Sequence, residues 1–135
     1  MDYVIHYCKL FFAFAGGVLG CIFGGFDSLI YALMAFVAID YITGILLAIH
    51  NKKISSEVGY KGIIKKFLIF LIVSMGNIID NYILGTGSTL RTLIIMFYLT
   101  NEGFSILENA GRLGVPIPKK LKDAIQKLNS SNDDL

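Results

Sequence analysis

The stretch LIYALMAFVAIDYITGILLAIH, residues 29–50, decides the fold. A bilayer's hydrocarbon core is about 30 Å thick, so a helix of about 20 apolar residues crosses it. Residues 29–50 meet that length with one ionisable carboxylate inside, Asp40. Three further apolar runs flank it, at about 10–26, 67–84 and 90–107, and the last two carry Asp80 and Glu102. A carboxylate in such a run is costly unless a partner helix, water or a function compensates it.

Working outward, the 135 residues are 55% hydrophobic and only 16% charged, with the apolar residues grouped in blocks. A soluble domain of this size carries a more charged surface. The expectation is an all-α integral membrane protein of about four transmembrane helices (alternatively three), with a short C-terminal amphipathic helix. Residues 1–116 form the transmembrane domain and residues 117–135 a cytoplasmic amphipathic helix and disordered tail. The fourth run is the weakest, because its continuous apolar part, 93–99, is flanked by Arg91, Asn101 and Glu102.

Charge sets the expected orientation. Lys and Arg of short loops concentrate on the cytoplasmic side. Lys52, Lys53, Lys61, Lys65 and Lys66 follow the second run, and Arg112, Lys119, Lys120, Lys122 and Lys127 follow the fourth. Both termini are therefore expected on the cytoplasmic side, with turns near 26–28 and 85–89 outside. After Gly114 and Pro116, Pro118 suits the first position of a helix over 119–128, with Leu121, Ile125 and Leu128 on one face. That helix is either solvated with one docked face or held at the lipid headgroups.

Gly16, Gly20 and Gly24 repeat every four residues in the first run, and Gly44 lies in the second. Small residues at that spacing let helices approach closely in lipid. Counting residues from each span's expected start places Asp40, Asn77 and Glu102 at mid-depth, with Thr43, Asn101 and Ser105 nearby. This predicts an intramembrane polar layer of Asp40, Thr43, Asn77, Asn101, Glu102 and Ser105. A charged Asp at mid-span costs about 2.5–3.5 kcal/mol on the mild insertion scale. Protonation, bonds across helices, or water in an assembled pore would each offset it. Asp80 and Arg91, on either side of a short outer turn, are expected to form an ion pair.

No catalytic constellation appears, and no cofactor or nucleic-acid partner is expected. His6 and His50 lack a second ligand at metal spacing. Cys8 and Cys21 read as small apolar-helix thiols. Tyr31 and Tyr82 suit interface anchors.

The ordered motifs Asp40-x-x-Thr43-Gly44, Ala48, Ser55-Ser56 and Lys61-Gly62-x-x-Lys65-Lys66 resemble the first half of the toxin-secretion/phage-lysis holin family. Asn101-Glu102-x-x-Ser105-Ile106-Leu107-x-Asn109, Gly114-x-Pro116-x-Pro118 and Leu121-Lys122 resemble its second half. The resemblance runs from about Asp40 to Leu128. It implies a non-enzymatic multi-pass holin that forms homo-oligomers in the bacterial cytoplasmic membrane and opens lesions. An endolysin or a large toxin then escapes as cargo, without a specific binding site. Some holins use two nearby starts, but here the Met after Met1 is Met34, inside the second run. An antiholin or accessory subunit, and a small ion channel or proton-coupled transporter using Asp40 or Glu102, are the competing functions.

Overall fold

A computed structural model describes residues 1–121 and 123. Four long helices fill it: α1 (Asp2–Phe23), α2 (Ser28–His50), α3 (Ser56–Ile79, running on as a π-helical turn over Asp80–Leu84) and α4 (Thr89–Arg112). The described residues contain no strand. Residues 119–121 begin a helix after Pro118, and the rest of the predicted C-terminal helix and tail lies outside the described residues.

The helix ends follow from local chemistry. Gly24, at φ 78°, adopts the left-handed conformation that stops α1, a geometry glycine takes without steric cost. Asp27 caps α2 by accepting from the Ile30 N–H at 3.0 Å. Ser55 caps α3 through the Val58 N–H at 3.2 Å. Gly85, at φ 63°, ends the π turn. The first N–H groups of a helix lack intrahelical partners, and those of α4 are met from outside the helix. Asp80 accepts from the Leu90 N–H at 3.0 Å and the Arg91 N–H at 2.8 Å. Its negative charge also complements the positive end of the α4 dipole.

Three helices, α1, α2 and the continuous Ser56–Leu84 segment, are long and apolar enough to cross a membrane. α4 is as long, at 24 residues, but more amphipathic. The chain is a multi-pass membrane protein, and its large exposed apolar surface, from Phe11 and Phe12 to Leu71 and Phe97, suits lipid rather than water. The bounds of three runs move, the fourth helix continuing to Arg112 rather than 107. The first helix starts at Asp2 and ends before the predicted 26, because Gly24 turns the chain. The third begins at Ser56 rather than near 67, because Ser55 nucleates helix through the lysine-bearing segment.

The core joins α2, α3 and α4. Ile30, Leu33 and Val37 of α2, Ile69 and Val73 of α3, and Ile95 of α4 are buried. α2 packs most extensively on α4, and α1 touches chiefly α3. Gly76 permits the α3–α4 approach, since a Cβ there would meet Ile94 Cδ1 at 2.5 Å and the Arg91 backbone at 3.5 Å. Tyr41 of α2 lies in a notch cut by Gly59 and Gly62 of α3, where a Cβ on Gly62 would stand 3.1 Å from its ring. The apolar core thus has a polar cluster at each end. One faces the lysine-rich 51–55 connection (the lysine end) and the other faces the turns holding Gly24, Gly25, Gly85 and Gly87 (the glycine end).

Candidate functional site: two buried polar clusters

At the lysine end, the Lys66 ammonium donates to both Asp40 Oδ2 and Glu102 Oε2. The geometry follows from register. Asp40 precedes His50, the last residue of α2, by ten positions. Lys66 follows Ser56, the first of α3, by ten, and Glu102 precedes Arg112, the last of α4, by ten. At 1.5 Å rise per residue each sits roughly 15 Å from its helix end. α2 and α4 run parallel and α3 antiparallel to both, so with aligned ends the three side chains come to one level. Asp40 and Glu102 are buried, and the Lys66 side chain is 19% exposed.

Asn109, one turn from Ser105 and two from Glu102, completes this node. Its Nδ2 donates to Thr43 Oγ1 at 3.1 Å and more weakly to Asp40 Oδ1 at 3.4 Å. Thr43 in turn donates to the Asp40 carbonyl at 3.0 Å. A cleft of about 240 Å³ lies beside the node, lined among others by Asp40, Gly44, Gly62, Lys66, Ser105 and Asn109. The balance is two carboxylates to one ammonium.

At the glycine end, Arg91 is 1% exposed. Its Nη1 and Nη2 fork onto Asp27 at 2.8 and 3.3 Å. Nη2 also donates to the Gly25 carbonyl at 3.1 Å, and Nε donates to the Phe23 carbonyl. Asn77 Nδ2 donates to the Cys21 and Ile22 carbonyls at 3.3 and 3.1 Å. The Arg91 guanidinium holds the Asp27 carboxyl below its usual range, with the α2 cap bond acting the same way against a desolvation that opposes both.

These two clusters redraw the polar layer expected from the sequence. Asp40, Thr43, Glu102 and Ser105 share the lysine-end node or its cleft. Asn77 leaves the layer. Because α3 starts at Ser56, Asn77 moves towards the glycine end and Lys66 takes its level. Asn101 is exposed, since one residue rotates it about 100° from Glu102. The Asp80–Arg91 ion pair is replaced. The Asp80 carboxylate takes the Arg91 backbone N–H and Thr86 Oγ1, at 2.8 Å each, while the guanidinium turns to Asp27.

The glycines also divide. A Cβ on Gly16 would meet nothing within 4 Å, one on Gly20 would only touch the Phe26 ring at 3.4 Å, and Gly24 is a turn residue rather than part of a helical strip. Gly44 faces Asn109 at an ordinary 3.8 Å. Among the lysines expected to be cytoplasmic, Lys52, Lys53, Lys61, Lys65, Lys119 and Lys120 are exposed, Lys66 is not, and Lys122 lies outside the described residues. Sequence reasoning missed Lys66, Asn109, Asp27 and Gly76 as structural partners. The serine cap at Ser55 was the available signal for Lys66. Among the described residues, no group of three or more His, Cys, Asp or Glu is placed to hold a metal ion.

The model of the bacteriophage holin family matches residues 17–130. An uncharacterised 14.9 kDa protein of Clostridium perfringens is 39% identical over 130 residues, which cover 96% of this chain and 98% of that protein. An uncharacterised Listeria monocytogenes protein is 44% identical, over 82% of this chain and 78% of its own. A protein of Bacillus phage phi105 named a probable holin is 38% identical, over 70% of each chain. No solved structure matches.

Proposed function

This chain belongs to the bacteriophage holin family, and we propose that it works as the holin itself, opening the bacterial cytoplasmic membrane to an endolysin or a large toxin. The observation that carries the mechanism is the Lys66 node. Each subunit compensates its own buried acids with its own lysine, so a single copy can rest in lipid without a water-filled pore. The arrangement is held by side chains from three helices, with two acids sharing a single ammonium. At high density, helices exchange these partners between subunits and turn the polar faces to water.

All four helices cross the bilayer in this reading, α4 included, because Glu102 and Arg91 are shielded by α1–α3 rather than by lipid. Both termini lie in the cytoplasm, in keeping with the lysines. The exposed i,i+4 pairs Lys61–Glu57 and Arg112–Glu108 belong to the inner interface. The face of α1 bearing Gly16, which this chain leaves uncovered, supplies the homo-oligomer contact.

The test is induced expression in a bacterial host carrying a leaderless cytosolic cell-wall hydrolase. Growth should stop abruptly and hydrolase activity should appear outside the membrane. Asp40→Asn and Glu102→Gln, each altering the clasp, should shift the time of triggering. A host that stays sealed at high protein abundance overturns the reading. Unchanged timing in both variants removes the node from the mechanism.

A further inference from the structure

The first helix is attached differently from the other three. α2, α3 and α4 supply every buried core residue, whereas α1 has none. Residues 2–14 of α1 are exposed all round. In lipid, apolar helix surfaces gain little by leaving the acyl chains for each other, so such a surface does not hold α1 in place. What α1 does have is a complete set of bonds at its C-terminal carbonyls, the groups a helix cannot satisfy alone.

Those bonds come mostly from other helices. The Gly20 carbonyl accepts from the Gly25 N–H at 2.6 Å. The Cys21 and Ile22 carbonyls accept from Asn77 of α3. The Phe23 and Gly25 carbonyls accept from Arg91 of α4, whose remaining N–H groups grip Asp27. Gly24 is pressed into this cluster, where a Cβ would stand 2.9 Å from Arg91 Cδ and Nε. Only the Phe23 ring adds an apolar contact of note, against Phe70 at 5.9 Å. Gly24 and Gly25 both have positive φ, 78° and 98°, so the joint between α1 and α2, Gly24–Asp27, opens with two residues of wide backbone freedom.

We propose that α1 is an arm latched to a self-contained α2–α4 core by a C-terminal cap borrowed from Arg91 and Asn77, with Gly24–Gly25 as its hinge. Arg91 is the positioning residue. Its planar fork reaches two carbonyls and both Asp27 oxygens at once, which a lysine ammonium cannot do. The donors sit on the buried Arg91 and Asn77 side chains, and a buried carbonyl left unpaired is costly, so the latch holds firmly while intact, and its loss frees the angle of α1 without touching the core. The inference does not depend on the holin reading.

Paired spin labels on the full chain in liposomes, diluted with unlabelled protein to suppress signals between copies, test it. One pair joins native Cys8 on α1 to Leu71→Cys on α3, with Cys21→Ser. A control pair joins Ile42→Cys on α2 to Phe97→Cys on α4, with both native cysteines replaced by Ser. Arg91→Gln should broaden the α1–α3 distance distribution at least twofold and leave the α2–α4 distribution unchanged, with Arg91→Lys between parent and Arg91→Gln. An α1–α3 width equal to the parent's overturns the latch. Equal broadening of both pairs also overturns it, because Arg91 would then hold the whole bundle. Should Arg91→Gln fail to accumulate, Asn77→Leu decides by the same two readings, since it removes two of the cap bonds and leaves the Arg91–Asp27 pair in place.

Discussion

The two ends of this bundle solve the same problem, a charge buried among lipid-length helices, by different means. At the glycine end, backbone groups do most of the work. Arg91 spends its donors on two carbonyls and one carboxylate, and Asp80 accepts from two amide N–H groups and a threonine hydroxyl. At the lysine end, Asp40, Lys66 and Glu102 meet only through side chains. Backbone partners are fixed by the helices that carry them, so the glycine end fastens. Side-chain partners can change rotamer and partner without moving a helix, so the lysine end is the more exchangeable of the two.

The contrast sharpens first at Lys66. Lys66→Met leaves two buried carboxylates without their cation, and breaking a buried pair from one side costs about 3–5 kcal/mol. Asp40→Asn or Glu102→Gln instead leaves one carboxylate on one ammonium and should cost much less. Reversible unfolding in detergent micelles gives the comparison. The double variant Asp40→Asn with Glu102→Gln strands Lys66 and should cost more than the two single changes together. If Lys66→Met proved as stable as Asp40→Asn, the node would be standing in water rather than in a desolvated clasp.

How much of this could be read in the sequence differs between the two ends. The helical membrane architecture was legible, because blocks of apolar residues of span length leave few alternatives. Asp40 and Glu102 were legible too, since carboxylates stand out against such blocks. Their partner was not. Lys66 belongs to a lysine cluster that reads as loop, and only the helix start at Ser56 lifts it to the level of the acids. The same shift of start carries Asn77 from the expected mid-depth layer to the glycine end. Arg91 and Asp80 were rightly seen as neighbours, but a linear reading pairs opposite side-chain charges and overlooks the unpaired N–H groups at the start of α4. Glycine spacing drew attention to the strip in α1. The close approach within the chain occurs at Gly76, whose importance depends on which face of α3 meets α4.

The glycine end gives the second, smaller effect. Gly24→Ala forces a side chain into the left-handed region, at about 1–2 kcal/mol, and drives its Cβ into Arg91 and Asn77. Gly16→Ala meets no neighbour within 4 Å and gains helix propensity, about 1 kcal/mol at most. The two substitutions are chemically identical and lie eight residues apart on one run, so the same unfolding measurement isolates the fastening. A matched response at both positions would mean that Gly24 serves the helix strip instead of the turn.

The smallest effect concerns Asp27, which joins the fastening from the solvent side. Its side chain is 47% exposed, so its pairing with Arg91 is screened and contributes within about 0–1 kcal/mol. The direction with pH follows from linkage. Arg91 keeps the folded carboxyl below its ordinary value of 3.8, so the unfolded chain takes up the proton first as pH falls. The contribution is therefore complete above that value and is lost as pH drops through the lowered folded one. Between pH 7 and 5 Asp27 should leave stability flat, and below about pH 4 the parent should lose stability faster than Asp27→Asn, which has nothing there to protonate. Subtracting the two pH profiles removes the other acids common to both proteins. A difference that stays level down to pH 3 would show that Arg91 is satisfied by the α1 carbonyls alone, and that the carboxylate serves α2 as a helix cap without sharing in the fastening.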